Sequence, residues 1–232
     1  MNQDPDIVDL FPSRVMRMQV PESKYSSIHE KVEPRIYSHL EYLISKGLIQ
    51  KGDNPAYFNA KTDGYTSFYG ENLLGLVKFN PIRDLIAETI LESFSFFGSK
   101  HDFNLNIGNL WFTVYKKGQC VPWHTHPGSY LSGAYYFKVD NDPEKCGPIF
   151  FKDPIGELKQ MVLNRSSFSM MDPPNHTFIV PKTGSLFLFP SWLPHKTNPN
   201  LSDNDRIIFS FNIMLEPVNI QSREQLKPSG FL

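Results

Sequence analysis

Two histidines stand one residue apart in the run CVPWHTHPGSY, residues 120–130. In an extended strand residues i and i+2 point to the same side, so His124 and His126 can aim at one point. Imidazole is the commonest metal ligand and suits iron, zinc, copper and nickel. A plain strand can also carry such a pair by accident, so the pair alone decides nothing. In GSLFLFPSWLPHKTNPN a glycine, an apolar strand and a proline-bounded turn bring His195 to a strand edge, as a third ligand or as an exposed turn histidine. Arg206 then opens RIIFSFN. Period two puts Arg206, Ile208, Ser210 and Asn212 on one face and Ile207, Phe209, Phe211 and Ile213 on the other. The second face is wholly apolar and must meet a core, so the first faces a polar interior or solvent. An arginine with a hydroxyl four residues on is suited to clamp a carboxylate, two bonds from the guanidinium fork and a third from the hydroxyl. An exposed edge-strand arginine is the plain alternative. His29, His39 and His101 lie in helical or linking context and read as packing or surface residues, and His176 at a strand start is ambiguous.

The elements that must position these residues fall into two regions of one domain, 1–232. Residues 1–104 read as a mainly helical support with an opening strand near LFPSRVMRMQV. Tyr25, Ile28, Val32, Ile36, Leu40 and Leu43 recur at helical spacing, Gly47 stops that helix, and Pro34 is expected to kink or split it. A second helix is expected from Asn80-Pro81, with Ile82, Leu85, Ile86, Thr89, Ile90 and Phe97 on one face. From 105 to 217 the texture is β. NLWFTVYKK, GAYYFKVD, GPIFFKD, NHTFIVP, GSLFLFP and RIIFSFNIML are short apolar runs bounded by turn residues, as in an antiparallel sandwich or barrel. Residues 152–175 form a long, weakly patterned stretch that reads as a surface loop or a lid. Residues 218–232 are a C-terminal tail.

Bulk properties exclude several classes. Lys plus Arg is 23 against 24 Asp plus Glu, a net charge of −1, which gives no nucleic-acid signal. No apolar run is long enough to span a bilayer, and the acidic start MNQDPDIVDLF is unlike a signal peptide. Cys120 and Cys146 form neither a disulfide framework nor a CxxC pair, which fits a reduced cytoplasmic setting. The 19 Phe, 19 Pro and 10 Tyr suit short strands and proline-punctuated loops around an aromatic core.

The stretch from 109 to 213 resembles the 2-oxoglutarate/Fe(II)-dependent oxygenases, and more closely their members in marine bacteria and phages. The residues that carry the resemblance are NLWFTVYKKGQCVPWHTHPGSYLSGAYYF, GPIFF, PKTGSLFLFPSWLPH and RIIFSFNI, in that order, with LFPSRV and GYTSFYGENLL as looser matches. The resemblance implies a mainly β fold with flanking helices: a double-stranded β-helix (jelly-roll) core supported by N-terminal helices. It also implies Fe(II), 2-oxoglutarate as cosubstrate, and O2. Tyr115, Gly118 and His124 match the Y-x-x-G…H run of prolyl-hydroxylase-like members, making His124 the first iron ligand and His195 the distal one. Arg206 corresponds to the basic residue that binds the far carboxylate of 2-oxoglutarate, and Ser210 to its supporting hydroxyl. Tyr136 matches a tyrosine that reaches the same carboxylate in some hydroxylases. Tyr115 either hydrogen-bonds the cosubstrate or packs, and Trp111, Asn109 and Asn212 are further pocket candidates.

The departure is His126, which stands where the family carries Asp or Glu. Either it ligates iron itself, making the site one unit more positive, or a carboxylate comes from Asp153 or Asp172. The function implied is a hydroxylase coupling 2-oxoglutarate decarboxylation to oxidation of a C–H bond, in the cytoplasm of a bacterium or, if phage-encoded, of its host. The substrate, small molecule or peptide, and the oligomeric state are not legible. Two alternatives stand beside it: a cupin-like three-histidine dioxygenase that does not use 2-oxoglutarate, and a non-catalytic metal-binding barrel. The cupin pattern starts well at Gly118 and His124-x-His126. It then places Tyr130 and Leu131 where its glutamate belongs.

Overall fold

The computed structural model describes residues 13–49, 64–91, 103–156 and 175–217. Among them are nine strands: β1 (Met16–Gln19), β2 (Tyr65–Thr66), β3 (Phe103–Tyr115), β4 (Leu131–Lys138), β5 (Ile149–Lys152), β6 (His176–Ile179), β7 (Ser185–Pro190), β8 (His195–Thr197) and β9 (Arg206–Pro217). Six form one antiparallel sheet in the order β1-β7-β4-β9-β3-β2, and three form a second, β6-β5-β8. The six β segments expected from sequence correspond to β3, β4, β5, β6, β7 and β9. The N-terminal region does more than support: β1 and the two-residue β2 are the edges of the large sheet.

The two faces of the large sheet have different partners. On β9, Ile207, Phe209, Phe211 and Ile213 pack with helix residues in one core, while Ile208 joins a second core between the sheets. The apolar face read from RIIFSFN is therefore the helix contact. Phe151 of the small sheet meets Phe189 of the large one at 5.1 Å, edge to face, and closes the second core.

Helix α1 (Glu22–Ser45) buries Val32, Ile36, His39, Leu40 and Leu43, and Gly47 follows it with φ 68°. The expected split at Pro34 does not occur, since the helix runs through it. Pro34 lies on the exposed face, where water can satisfy the carbonyl one turn back that loses its N–H partner. Helix α2 (Asn80–Leu91) buries Ile82, Leu85, Ile86, Thr89 and Ile90, as its pattern predicts. Phe97, His101, residues 157–174 of the candidate lid with Asp172, and the tail 218–232 lie outside the described residues.

His29 joins α1 to the sheet. Its ring stacks on Tyr25 at 4.5 Å and on Phe137 at 3.9 Å, and its Nε2 stands 2.8 Å from the Tyr135 hydroxyl. His39 is a packing residue, buried beside Phe79 and Phe112 with Nδ1 3.0 Å from Lys78 Nζ. Burial pushes His29 down to about 4. The unfolded chain takes up this proton near pH 6.5, and the folded chain only near 4. Between those values the unfolded state holds more protons, so stability falls as the pH drops. Urea midpoints at pH 7 and pH 5 are expected to show that loss. His29→Gln, which keeps an acceptor for Tyr135, is expected to reduce the difference, and an unchanged difference contradicts the assignment.

Candidate metal centre

The chain segment before His124 pairs with the one around His195, and this pairing builds the site. Gly118 N donates to Asn200 O, Asn200 N to Gln119 O and Thr197 N to Val121 O, and His124 and His195 exchange both backbone bonds at 3.0 Å. His124 thus sits at an isolated antiparallel bridge rather than inside a regular strand. His126 N donates to Ser191 O at 2.9 Å, which holds the second histidine beside the first. β8, which brings in His195, is only three residues long.

The three side chains converge. Their ligand atoms lie within 4.8 Å of one another, and Nε2 of His126 is 3.3 Å from Nε2 of His195. Two nitrogens, each about 2.1 Å from one ion, stand roughly 3.0–3.4 Å apart, so this spacing fits a shared divalent metal. His124 Nδ1 faces Pro122 O at 2.8 Å, and His195 Nδ1 faces Leu193 O at 2.9 Å. Donation from Nδ1 to these carbonyls fixes the tautomer and leaves the Nε2 lone pairs free to ligate. Burial is the main cause that lowers all three pKa values: His126 to about 4, helped by His124, and His195 to about 2. The imidazoles are therefore neutral near pH 7, the form that binds a metal. Among the described residues no carboxylate joins the cluster. Asp153 Oδ1 instead accepts from Ile155 N in a turn.

These histidines line a cavity of about 280 Å³ together with Trp111, Thr113, Tyr115, Tyr136, Thr197, Ile208 and Ser210. The period-two reading of β9 thus places Ser210 correctly. Asn212, farther along, bonds Ser132 Oγ at 2.8 Å, and Asn109 Oδ1 is buried without a partner.

Arg206 departs from its expected geometry. It is 0% exposed, and its guanidinium carbon lies 4.5 Å from the centre of the Tyr115 ring. Nη1 donates to Cys146 O at 3.1 Å, Gly147 O at 2.9 Å and Asn198 O at 2.9 Å. Nη2 donates to Thr197 Oγ1 at 3.0 Å and Gln119 O at 3.4 Å. The fork expected to face a carboxylate is thus occupied by backbone carbonyls and a threonine. Nε alone has no partner, and the nearby Tyr136 hydroxyl, equally buried, has none either. Among the described residues no carboxylate pairs with this cation. Gly147 sits against the guanidinium with φ 67°, and a Cβ there would collide with Nη1. Sequence reasoning missed Thr197 and Gly147. Thr197 was open to the same period-two argument, being two residues after His195, whereas nothing local marks Gly147.

Residues 109–212 match the family model described as "Putative 2OG-Fe(II) oxygenase". No curated protein matches the sequence. The fold is similar to that of the non-heme alpha ketoglutarate dependent carbocyclase SnoK from nogalamycin biosynthesis, with 9% identity over 93% of this chain and 87% of that one, at a TM-score of 0.55. It is also similar to a prolyl hydroxylase from Trichoplax adhaerens, with 14% identity over 86% and 83% of the two chains and a TM-score of 0.53. An oxidoreductase of the 2OG-Fe(II) oxygenase family from Burkholderia pseudomallei, 14% identical, matches 62% of this chain at a TM-score of 0.45. The chain spans 61% of that relative's length. That family model spans 104 of the 232 residues, and the likeness to the solved structures is one of fold.

A metal that binds only the folded protein stabilises it by about 2.7 kcal/mol at one hundred times its Kd. Co(II) is therefore expected to raise the thermal midpoint of the protein, and His195→Ala is expected to abolish that rise. A rise that survives in His195→Ala would place the metal elsewhere.

Proposed function

We propose that this protein is an iron-dependent oxygenase with 2-oxoglutarate as cosubstrate, built on a double-stranded β-helix core. His124, His126 and His195 would hold the metal. When bound, Fe(II) supplies the activation of O2, one oxygen atom passing to succinate as CO2 is lost and the other to a C–H bond of the substrate. The observation that carries the cosubstrate reading is the buried charge of Arg206. A fully buried cation with no carboxylate beside it is costly, and an incoming anion relieves that cost. Arg206 Nε–H is buried and unpartnered, and so is the hydroxyl of Tyr136, which lines the cavity. A carboxylate accepting from both, with the Thr197 and Ser210 hydroxyls in the same cavity, satisfies them together. Phe189 and Ile208 give the cavity apolar walls that exclude water from the metal. His126 in place of a carboxylate leaves the centre one unit more positive, which alters the metal's potential and reactivity.

A second reading has its own observation. Because Arg206 already donates four of its five N–H groups to the protein, the cavity lacks the two-pronged anchor that 2-oxoglutarate would take. On that ground the same three-histidine centre serves a dioxygenase that works without 2-oxoglutarate, or a metal-binding module without turnover.

Adding Fe(II) and 2-oxoglutarate without O2 separates the readings. The cosubstrate reading expects a weak visible charge-transfer band, and succinate once O2 is admitted. No band with background succinate rejects it, and retention of zinc without turnover selects the binding module. Tyr136→Phe removes only a hydroxyl that has no partner, so stability is expected to hold or rise. The half-saturating 2-oxoglutarate concentration is expected to rise about tenfold, one hydrogen bond's worth, with Co(II) affinity unchanged. An unaltered 2-oxoglutarate requirement removes Tyr136 from the carboxylate site.

A further inference from the structure

We infer that the substrate end of the cavity accepts an uncharged planar ring, aromatic or heteroaromatic, laid against a wall formed by Phe68, Tyr69 and Trp111. This rests on the reading of the cavity as a catalytic site. The wall begins at the metal: the Trp111 ring centre is 5.8 Å from that of His126, at 32°. Phe68 meets Trp111 at 5.1 Å and 69°, and Tyr69 meets Phe68 at 5.4 Å and 83°, both edge to face. All three line the cavity, yet Phe68 is 51% and Tyr69 41% exposed, so the wall runs from the histidines out to the mouth.

The wall is held in place before any ligand arrives. Ser67 N donates to Phe112 O and Phe112 N to Ser67 Oγ, clipping the turn that carries Phe68 and Tyr69 to β3. Phe68 N donates to Thr66 Oγ1, and Thr66 Oγ1 in turn accepts from Thr113 Oγ1 at 3.1 Å. Gly70 lets the turn seat on α1, since a Cβ there would meet Leu43 Cδ2 at 2.6 Å. A fixed wall costs little ordering on binding, which favours flat ligands over shape-changing ones.

Charge narrows the class. Among the described lining residues there is no Asp, Glu, Lys or Arg, so an ammonium or carboxylate on this part of the substrate would lose its water without a partner. Phe68 touches both Tyr69 and Trp111 edge to face. Together they form a continuous wall, not the open cage that seats a quaternary ammonium. Exposed aromatic surface at a cavity mouth marks a binding face, and ring-on-ring contact adds to the area buried.

The test uses the zinc-loaded protein, so it depends on neither iron, 2-oxoglutarate nor O2. Binding of indole is measured by calorimetry beside cyclohexylmethanol and tryptamine. Indole is expected to bind at least tenfold tighter than the other two, and Phe68→Ala, an exposed position, to weaken it at least fivefold with an unchanged melting temperature. Trp111→Leu is expected to weaken it further, and if that variant fails to fold, Phe68→Ala alone decides. Absence of indole binding, equal binding of the saturated or charged analogues, or indifference to Phe68→Ala overturns the inference. Succinate formation is followed on the same preparation after loading with iron. Turnover without ring binding overturns the substrate class alone, and ring binding without turnover overturns the cosubstrate reading alone.

Discussion

The guanidinium of Arg206 donates to carbonyls from three loops that are far apart in the chain, and the site takes its shape from that meeting. Gln119 leads into His124, Thr197 and Asn198 follow His195, and Cys146 and Gly147 precede β5. One buried cation thus ties both histidine-bearing segments to the strand that starts at Arg206. Its desolvation is offset by carbonyl dipoles and the Tyr115 ring face, with no counter-charge from the described residues. Lys in its place would supply three N–H groups from a single point and could not reach carbonyls on two sides. The residue expected to serve only the cosubstrate is equally a part of the frame that sets the three histidines.

The histidines follow from this frame and from backbone pairing. A single two-bond bridge aligns His124 with His195, and two proline- and leucine-borne carbonyls turn their rings so that Nε2 points inward. A metal held by three neutral ligands would carry a higher positive charge than one with a carboxylate ligand. The three histidines lie in a cavity whose outer wall is aromatic and whose described lining carries no Asp, Glu, Lys or Arg, while the Arg206 guanidinium packs over the ring of Tyr115, one of the lining residues. A metal held there would favour an anion beside it and a neutral ring farther out.

Much of this was open to sequence reasoning where period and spacing act locally. Alternation in RIIFSFN separated Ile208 and Ser210 from the helix-facing Ile207 and Phe209, and helical spacing found both helices. The reading failed where the answer depends on distant segments. Nothing near Arg206 indicates that Cys146, Gly147 and Asn198 would take its N–H groups. Pro34 suggested a split because its own turn lacks a bond, but the helix runs on where solvent on that face can satisfy the freed carbonyl. Phe68 and Tyr69 were not singled out within GYTSFYGENLL because the wall they complete depends on Trp111, more than forty residues on.

The proposed chemistry depends most on His126 ligating the metal alongside His124 and His195 with no carboxylate. X-ray absorption at the iron edge of the Fe(II)-loaded protein measures this directly through imidazole multiple scattering. Three imidazoles per iron are expected, falling to two in a His126→Ala variant that still binds metal. Two imidazoles in the native protein, with His126→Ala leaving the spectrum unchanged, would contradict the three-histidine centre.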